Sequence, residues 1–183
     1  MTNSIKEIEG MEVIFIIGSN TKETHPVIAN RMIKAYRKGT RIIIADPRNI
    51  PMVKFADVHL RMKPGTDIAL LNGMAHVIVK EGLYNKEFVQ TTTSGFEEWE
   101  KKLEKYTPDF VEKITGIPKE DITKAARIYG ASRKAGIFYT MGITQHACGT
   151  DNVSAVANLA TLTGNVGREC TGVNPLRGQN NVQ

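Results

Sequence analysis

"VIFIIGSN", Val13 to Asn20, is an unbroken apolar run that ends in Gly18, Ser19 and Asn20. A strand with one wet face alternates apolar and polar residues. A run that is apolar at every position belongs to a strand covered on both faces, as in a parallel sheet layered by helices. The next stretch, "THPVIANRMIKAYRKGT", has Pro26 suited to a first helical position. Val27, Ala29 or Asn30, Ile33 and Tyr36 then recur at helical spacing before Gly39 stops the helix. "RIIIADPR" is a second all-apolar strand, running into Asp46 and Pro47. Strand, helix and strand in this order predict two parallel strands joined by a right-handed crossover.

The pattern continues downstream. Val58, Leu60 and Met62 alternate with His59 and Arg61, as in a short strand nearer the sheet edge. "TDIALLNGMAHVIVKEG" predicts a helix capped at Thr66 or Asp67, with an apolar face of Leu70, Leu71, Met74, Val77 and Ile78, ending at Gly82. Residues 84–131 read as helices with polar outer faces. Ser94 and Glu97 have capping-box spacing, and Phe96 and Trp99 have packing spacing. "AGIFYTMG" returns as a strand ending in Gly142, and a last helix runs from Asp151 or Asn152 to Gly164. Residues after about Gly172 are expected to be mobile without neighbours. There is no repeat or low-complexity tract. The expectation over 1–183 is one α/β domain, a Rossmann-like, mostly parallel sheet with helices on both faces.

Composition narrows the class. Hydrophobic residues at 41% and charged residues at 23% are ordinary for a globular domain. The net charge of +5 is spread along the chain, whereas nucleic-acid binders concentrate their basic residues, so no nucleic-acid partner is expected. Cys148 and Cys170 match no zinc or cluster spacing and read as two reduced thiols. "MTNSIKEIEG" has neither the basic nor the apolar region of a signal peptide. No apolar run reaches the ~18 residues of a membrane span. A cytoplasmic location is the expectation.

Polar residues gather where the strands end: Gly18-Ser19-Asn20, Asp46-Pro47-Arg48, Pro64-Gly65-Thr66-Asp67, and Met141-Gly142-Ile143-Thr144-Gln145. Open parallel sheets bind ligands outside the carboxyl ends of their strands. Gly18 is either a turn residue or a point where backbone approaches a phosphate. Asp46 is either a turn former before Pro47 or an acceptor for a ribose hydroxyl. Asp67 is either a helix cap or an acceptor for two adjacent N–H donors, as on a guanine edge. Gln145 can donate and accept at once, which suits a pterin or base edge. His25 and His146 lack partners at metal spacing and read as polar loop residues; His59 and His76 read as structural. The GxGxxG fingerprint is absent, so a nicotinamide or flavin site has no motif support.

Six stretches carry a family resemblance: "GSNTKETHP", "ADPR", "MKPGTDIALLNG", "YTMGITQH", "LTGNVG" and "GVNPLRGQNNVQ". In this order they resemble the third domain of molybdopterin-dependent formate dehydrogenases, within the dimethyl-sulfoxide-reductase superfamily. The likeness runs from about Glu12 to Gln183, and "RGQNNVQ" is its most specific piece. It implies a catalytic subunit holding molybdenum or tungsten between two molybdopterin guanine dinucleotides, oxidising formate to carbon dioxide. By the resemblance, Gly18, Ser19 and Asn20 would lie along the phosphates of one dinucleotide. Asp46 and Arg48 would flank its ribose and guanine, and Asp67, beside Gly65, would read the guanine edge. Met141, Gly142 and Gln145 would approach pterin and metal. Arg177 would hold formate's carboxylate, bidentately and with its charge fixed, with Gln179 and Asn180 in support.

The family's cysteine or selenocysteine metal ligand, its iron–sulfur cysteines and its C-terminal domain have no counterpart here. No metal ligand is therefore assigned, and an iron–sulfur cluster is expected only in an absent N-terminal segment. The expectation is a fragment whose partners are the rest of the catalytic subunit and an electron-transfer iron–sulfur subunit. The other readings are a different oxidoreductase of the superfamily, such as a nitrate reductase, or a non-catalytic nucleotide-binding module.

Overall fold

The computed structural model describes residues 1–176 and 178. Its sheet has five strands, all parallel: β1 (Val13–Ile17), β2 (Arg41–Ala45), β3 (Val58–Leu60), β4 (Ala135–Tyr139) and β5 (Gly172–Pro175). Their spatial order is β3-β2-β1-β4-β5. The helices are α1 (Thr21–Thr24), α2 (Pro26–Arg37), α3 (Asp67–Lys80), α4 (Lys86–Thr92), α5 (Phe96–Leu103), α6 (Pro108–Thr115), α7 (Lys119–Gly130), α8 (Met141–Thr144) and α9 (Gly149–Leu162). Short 3-10 turns span Ile5–Gly10 and Pro51–Phe55.

The apolar run in β1 is covered from both sides, as expected. Val13, Phe15 and Ile17 face a core completed by α3, α6, α7 and α9. Ile14 and Ile16 face the other core, with Ile28, Met32 and Ala35 of α2 and Met52 of the 51–55 turn. Each fully buried aliphatic side chain is worth roughly 2 kcal/mol, so both faces favour the same arrangement. The strand order reverses between β1 and β4. From β1 the chain winds through α2 to β2; from β4 it winds through α9, on the opposite face, to β5. This is the topological switch point of a doubly wound sheet, and it opens a crevice at the carboxyl ends of β1 and β4.

Four local expectations are corrected. In α2 the helix is right but its inner face is Ile28, Ala29, Met32 and Ala35; Val27 is 69% exposed and Tyr36 41%. Both sets have helical spacing, and the sheet below selects the more compact one. Ser94 and Glu97 form no capping box, since Gly95, with φ 74°, is the N-cap of α5. The fourth strand stops at Tyr139, and Met141–Thr144 is a single helical turn. Residues 172–175 are strand β5, paired to β4 and held on its other side by Thr2, whose N–H donates to the Val173 carbonyl at 3.3 Å.

Candidate functional site

The switch point is built from two glycines. Gly18 follows β1 with φ 57°, and a Cβ there would stand 2.8 Å from the Gly142 carbonyl carbon. A Cβ on Gly142 would stand 2.5 Å from the Gly18 oxygen. The Thr140 hydroxyl donates to that same oxygen at 2.7 Å. The backbones leaving β1 and β4 therefore lie against each other, and only glycine at both positions allows it. The close approach here is chain to chain.

Beside this contact lies a cleft of about 490 Å³ lined by Gly18, Asn20, Glu23, Asp46, Arg48, Gly65, Asp67, Met141, Gly142 and His146, among others. Residues from four strand ends thus converge on one rim. Asp67 is the first residue of α3 and only 2% exposed, and its Oδ1 is buried with no donor. Burial pushes its carboxyl above the usual carboxylate range; His146 opposes that shift and Asp46 adds to it. Thr66, just before it, turns its hydroxyl to the Lys63 carbonyl at 2.7 Å and leaves the helix end uncapped by a side chain. A buried carboxylate oxygen without a donor is costly. Asp67 is therefore suited to a guest that brings N–H groups. Asn20 adds a second orphan: its Nδ2 donates to Glu23 Oε2 at 2.6 Å, while its buried Oδ1 accepts nothing.

Asp46 is differently placed. It is 2% exposed and accepts from the Arg48 backbone N–H at 2.9 Å and from Arg48 Nε at 3.2 Å. His59 Nε2 lies 3.0 Å from the Asp46 carbonyl oxygen, and Arg61 Nε donates to Pro47 O at 3.0 Å, so β3 pins the loop. The guanidinium of Arg48 remains 67% exposed, and Asp46 beside it holds its charge more firmly than usual. Gly65 has open space where a Cβ would stand.

Two expected residues stand apart from the cleft. Ser19 is 1% exposed, with its hydroxyl 2.8 Å from Thr21 Oγ1. Gln145 caps α8 and is exposed, away from the cleft's lining. Arg177, Gln179 and Asn180 lie outside the described residues. Their neighbours Leu176 and Gly178 line a second cleft of about 310 Å³, which shares Thr24, Thr140 and Met141 with the first. Sequence patterns do not single out Glu23 and Thr140 as site residues, and His146 reads there as a loop residue. The Asn20–Glu23 spacing of one helical turn was the only local signal for any of them.

A larger cavity, about 1110 Å³, lies at the opposite rim. Several of its charged side chains are already paired, for example Lys119 with Asp109 at 2.7 Å and Lys38 with Glu9 at 3.1 Å, and none of the orphaned polar atoms is there. Among the described residues no group of three or more His, Cys, Asp or Glu side chains could hold a metal ion. No described helix is long and apolar enough to cross a membrane.

Comparison with known proteins agrees with the crevice. The chain is 54% identical over 183 residues to the F420-dependent formate dehydrogenase 1 subunit alpha of Methanococcus maripaludis, and 48% identical to formate dehydrogenase H of Escherichia coli. All of this chain is matched, against 27% and 26% of those two proteins, so it spans about a quarter of their length. Among solved structures, acetylene hydratase from Pelobacter acetylenicus superposes with a TM-score of 0.80 at 32% identity, over 84% of this chain and 21% of that one. The family model described as molybdopterin oxidoreductase matches residues 1–183. With its doubly wound sheet, its switch-point crevice and a match along its whole length, the chain belongs to the molybdopterin oxidoreductase family.

Proposed function

We propose that this chain is the domain of a formate dehydrogenase catalytic subunit that holds one molybdopterin guanine dinucleotide. The observation that carries the reading is the orphaned, buried Oδ1 of Asp67 in the switch-point cleft. A guanine edge presents two adjacent N–H donors, which fit a carboxylate acceptor; the adenine edge does not. Asp46 and Arg48 would lie along the ribose and guanine, and Met141 and Gly142 toward the pterin. When bound, the cofactor's metal, molybdenum or tungsten, would take the two electrons released as formate becomes carbon dioxide. This chain's own share is to bind, to orient and to exclude water. Arg177 would hold formate's carboxylate with its planar fork, supported by Gln179 and Asn180. The iron–sulfur cluster, the metal's protein ligand and the electron-transfer partner belong to other segments in this reading.

The names of the curated relatives favour formate as substrate. The likeness to an acetylene hydratase supports a second reading, in which the same domain serves another reaction of the family. Two experiments test the proposal. Calorimetry on the cofactor-free full-length protein should show guanosine binding at least about tenfold tighter than adenosine, with the preference lost in Asp67→Asn; equal affinities would refute the assignment of the cleft. Assays of the loaded protein with formate, nitrate and acetylene then decide the reaction.

A further inference from the structure

The charges in the cleft do not suit the guest proposed for it. Glu23, Asp46 and Asp67 contribute three carboxylates, and a dinucleotide adds the negative charge of its pyrophosphate. Of the two basic side chains in the lining, Arg48 is paired with Asp46, on which its Nε, Nη2 and backbone N–H converge. The side-chain donors of the expected phosphate cradle are taken: Ser19 Oγ is tied to Thr21 and Asn20 Nδ2 to Glu23. Apart from Arg48, that leaves His146 among the basic side chains of the lining. Its Nε2 lies 2.8 Å from the Gly142 carbonyl oxygen, which can only accept, so Nε2 carries a hydrogen and Nδ1 is the ring's free nitrogen. Nδ1 has no partner among the described residues. Around the cleft the ring shares its walls with Asp67 on α3, Asp46 and Arg48 after β2, and Glu23 on α1.

Resting on the nucleotide reading above, we infer that His146 is a positioning residue for the guest's phosphate. As an imidazolium it offers Nδ1–H to a phosphate oxygen and offsets the cleft's excess of carboxylates. Nucleotide capture is then linked to a proton on His146. Imidazole is the side chain that changes charge between about pH 5 and 8, so the grip on a phosphate-bearing guest weakens as pH rises through that range. The grip on the base alone does not. Protonation of Asp67 at low pH weakens base and nucleotide alike, so their ratio isolates His146.

The test is calorimetric titration of guanosine and of a sugar ester of guanosine diphosphate, whose pyrophosphate keeps its charge over the range, into the cofactor-free full-length protein at pH 5.5, 7 and 8.5. For the wild type, the diphosphate's advantage over the nucleoside should fall about fivefold or more from the lowest to the highest pH. His146→Gln keeps an N–H for the Gly142 carbonyl without the charge, and in it the ratio should be low and flat. A wild-type ratio independent of pH overturns the inference without any variant, as does an unchanged slope in His146→Gln. If guanosine itself fails to bind, the nucleotide reading falls and this inference falls with it.

Discussion

Asp67, the proposed acceptor for a guanine edge, sets the proposed binding against stability. Its carboxyl is buried, with Oδ1 lacking a donor, and burial holds its folded-state value above the ordinary one near 3.8. A raised carboxylate contributes stability that is present in full below the unfolded value and is lost as pH rises through the folded one. At pH 7 an empty cleft therefore strains the fold. Asp67→Asn should stabilise the cofactor-free protein by about 1 kcal/mol at pH 7. The gain should shrink as the pH falls toward 4; chemical denaturation at three pH values checks it, and a destabilised variant at pH 7 would refute it. Gly142 is under the opposite constraint. A Cβ there would stand 2.5 Å from the Gly18 oxygen and 2.7 Å from its Cα, both backbone atoms that cannot swing aside. Gly142→Ala should lower stability by about 2–3 kcal/mol in urea denaturation; an unmoved midpoint would show that the β1 and β4 ends are free to part.

At the scale of elements, the crossover between β4 and β5 depends on a side chain remote from the cleft. Asn165 is fully buried after α9. Its Oδ1 accepts from the Ala135 backbone N–H at 3.2 Å, and its Nδ2 donates to the Thr163 hydroxyl at 2.8 Å and to Ser132 O at 3.3 Å. It thus locks the start of β4 to the end of α9. Asn165→Ala leaves these groups buried and unpaired, and should cost about 2–3 kcal/mol with the cleft's guanosine affinity unchanged. Thermal unfolding and nucleotide titration of one preparation test both halves. Elements differed in how plainly the sequence announced them. The five apolar residues of β1 fit a doubly buried strand, and the structure has one there. In α2, two faces had helical spacing, and only packing on Ile14, Ile16 and Ile42 selected Ile28, Ala29, Met32 and Ala35. Strand β5 was hidden because "GVNP" carries a glycine and a proline; it is edged by Thr2, 171 residues away in the chain.

For the whole molecule, the proposed reading makes the chain one wall of a site. It spans about a quarter of its curated relatives, and its described residues include no cluster able to hold a metal. The purified 183-residue chain should therefore show no formate-dependent dye reduction, even with added cofactor; any turnover above a buffer control would contradict the proposal. The sequence by itself determined that there are buried parallel strands and that small and polar residues end them, and hence where a binding rim is to be expected. Those are local signals, written in the period of apolar residues and in turn chemistry. Tertiary structure alone decided what each rim residue does. Gly18 meets Gly142 and Thr140, more than 120 positions away, because the sheet order sets β1 beside β4. Asp46 is paired and Asp67 is orphaned although both are acidic residues at a strand end. A side chain's partners are fixed by which strands become neighbours, and no local pattern encodes that order.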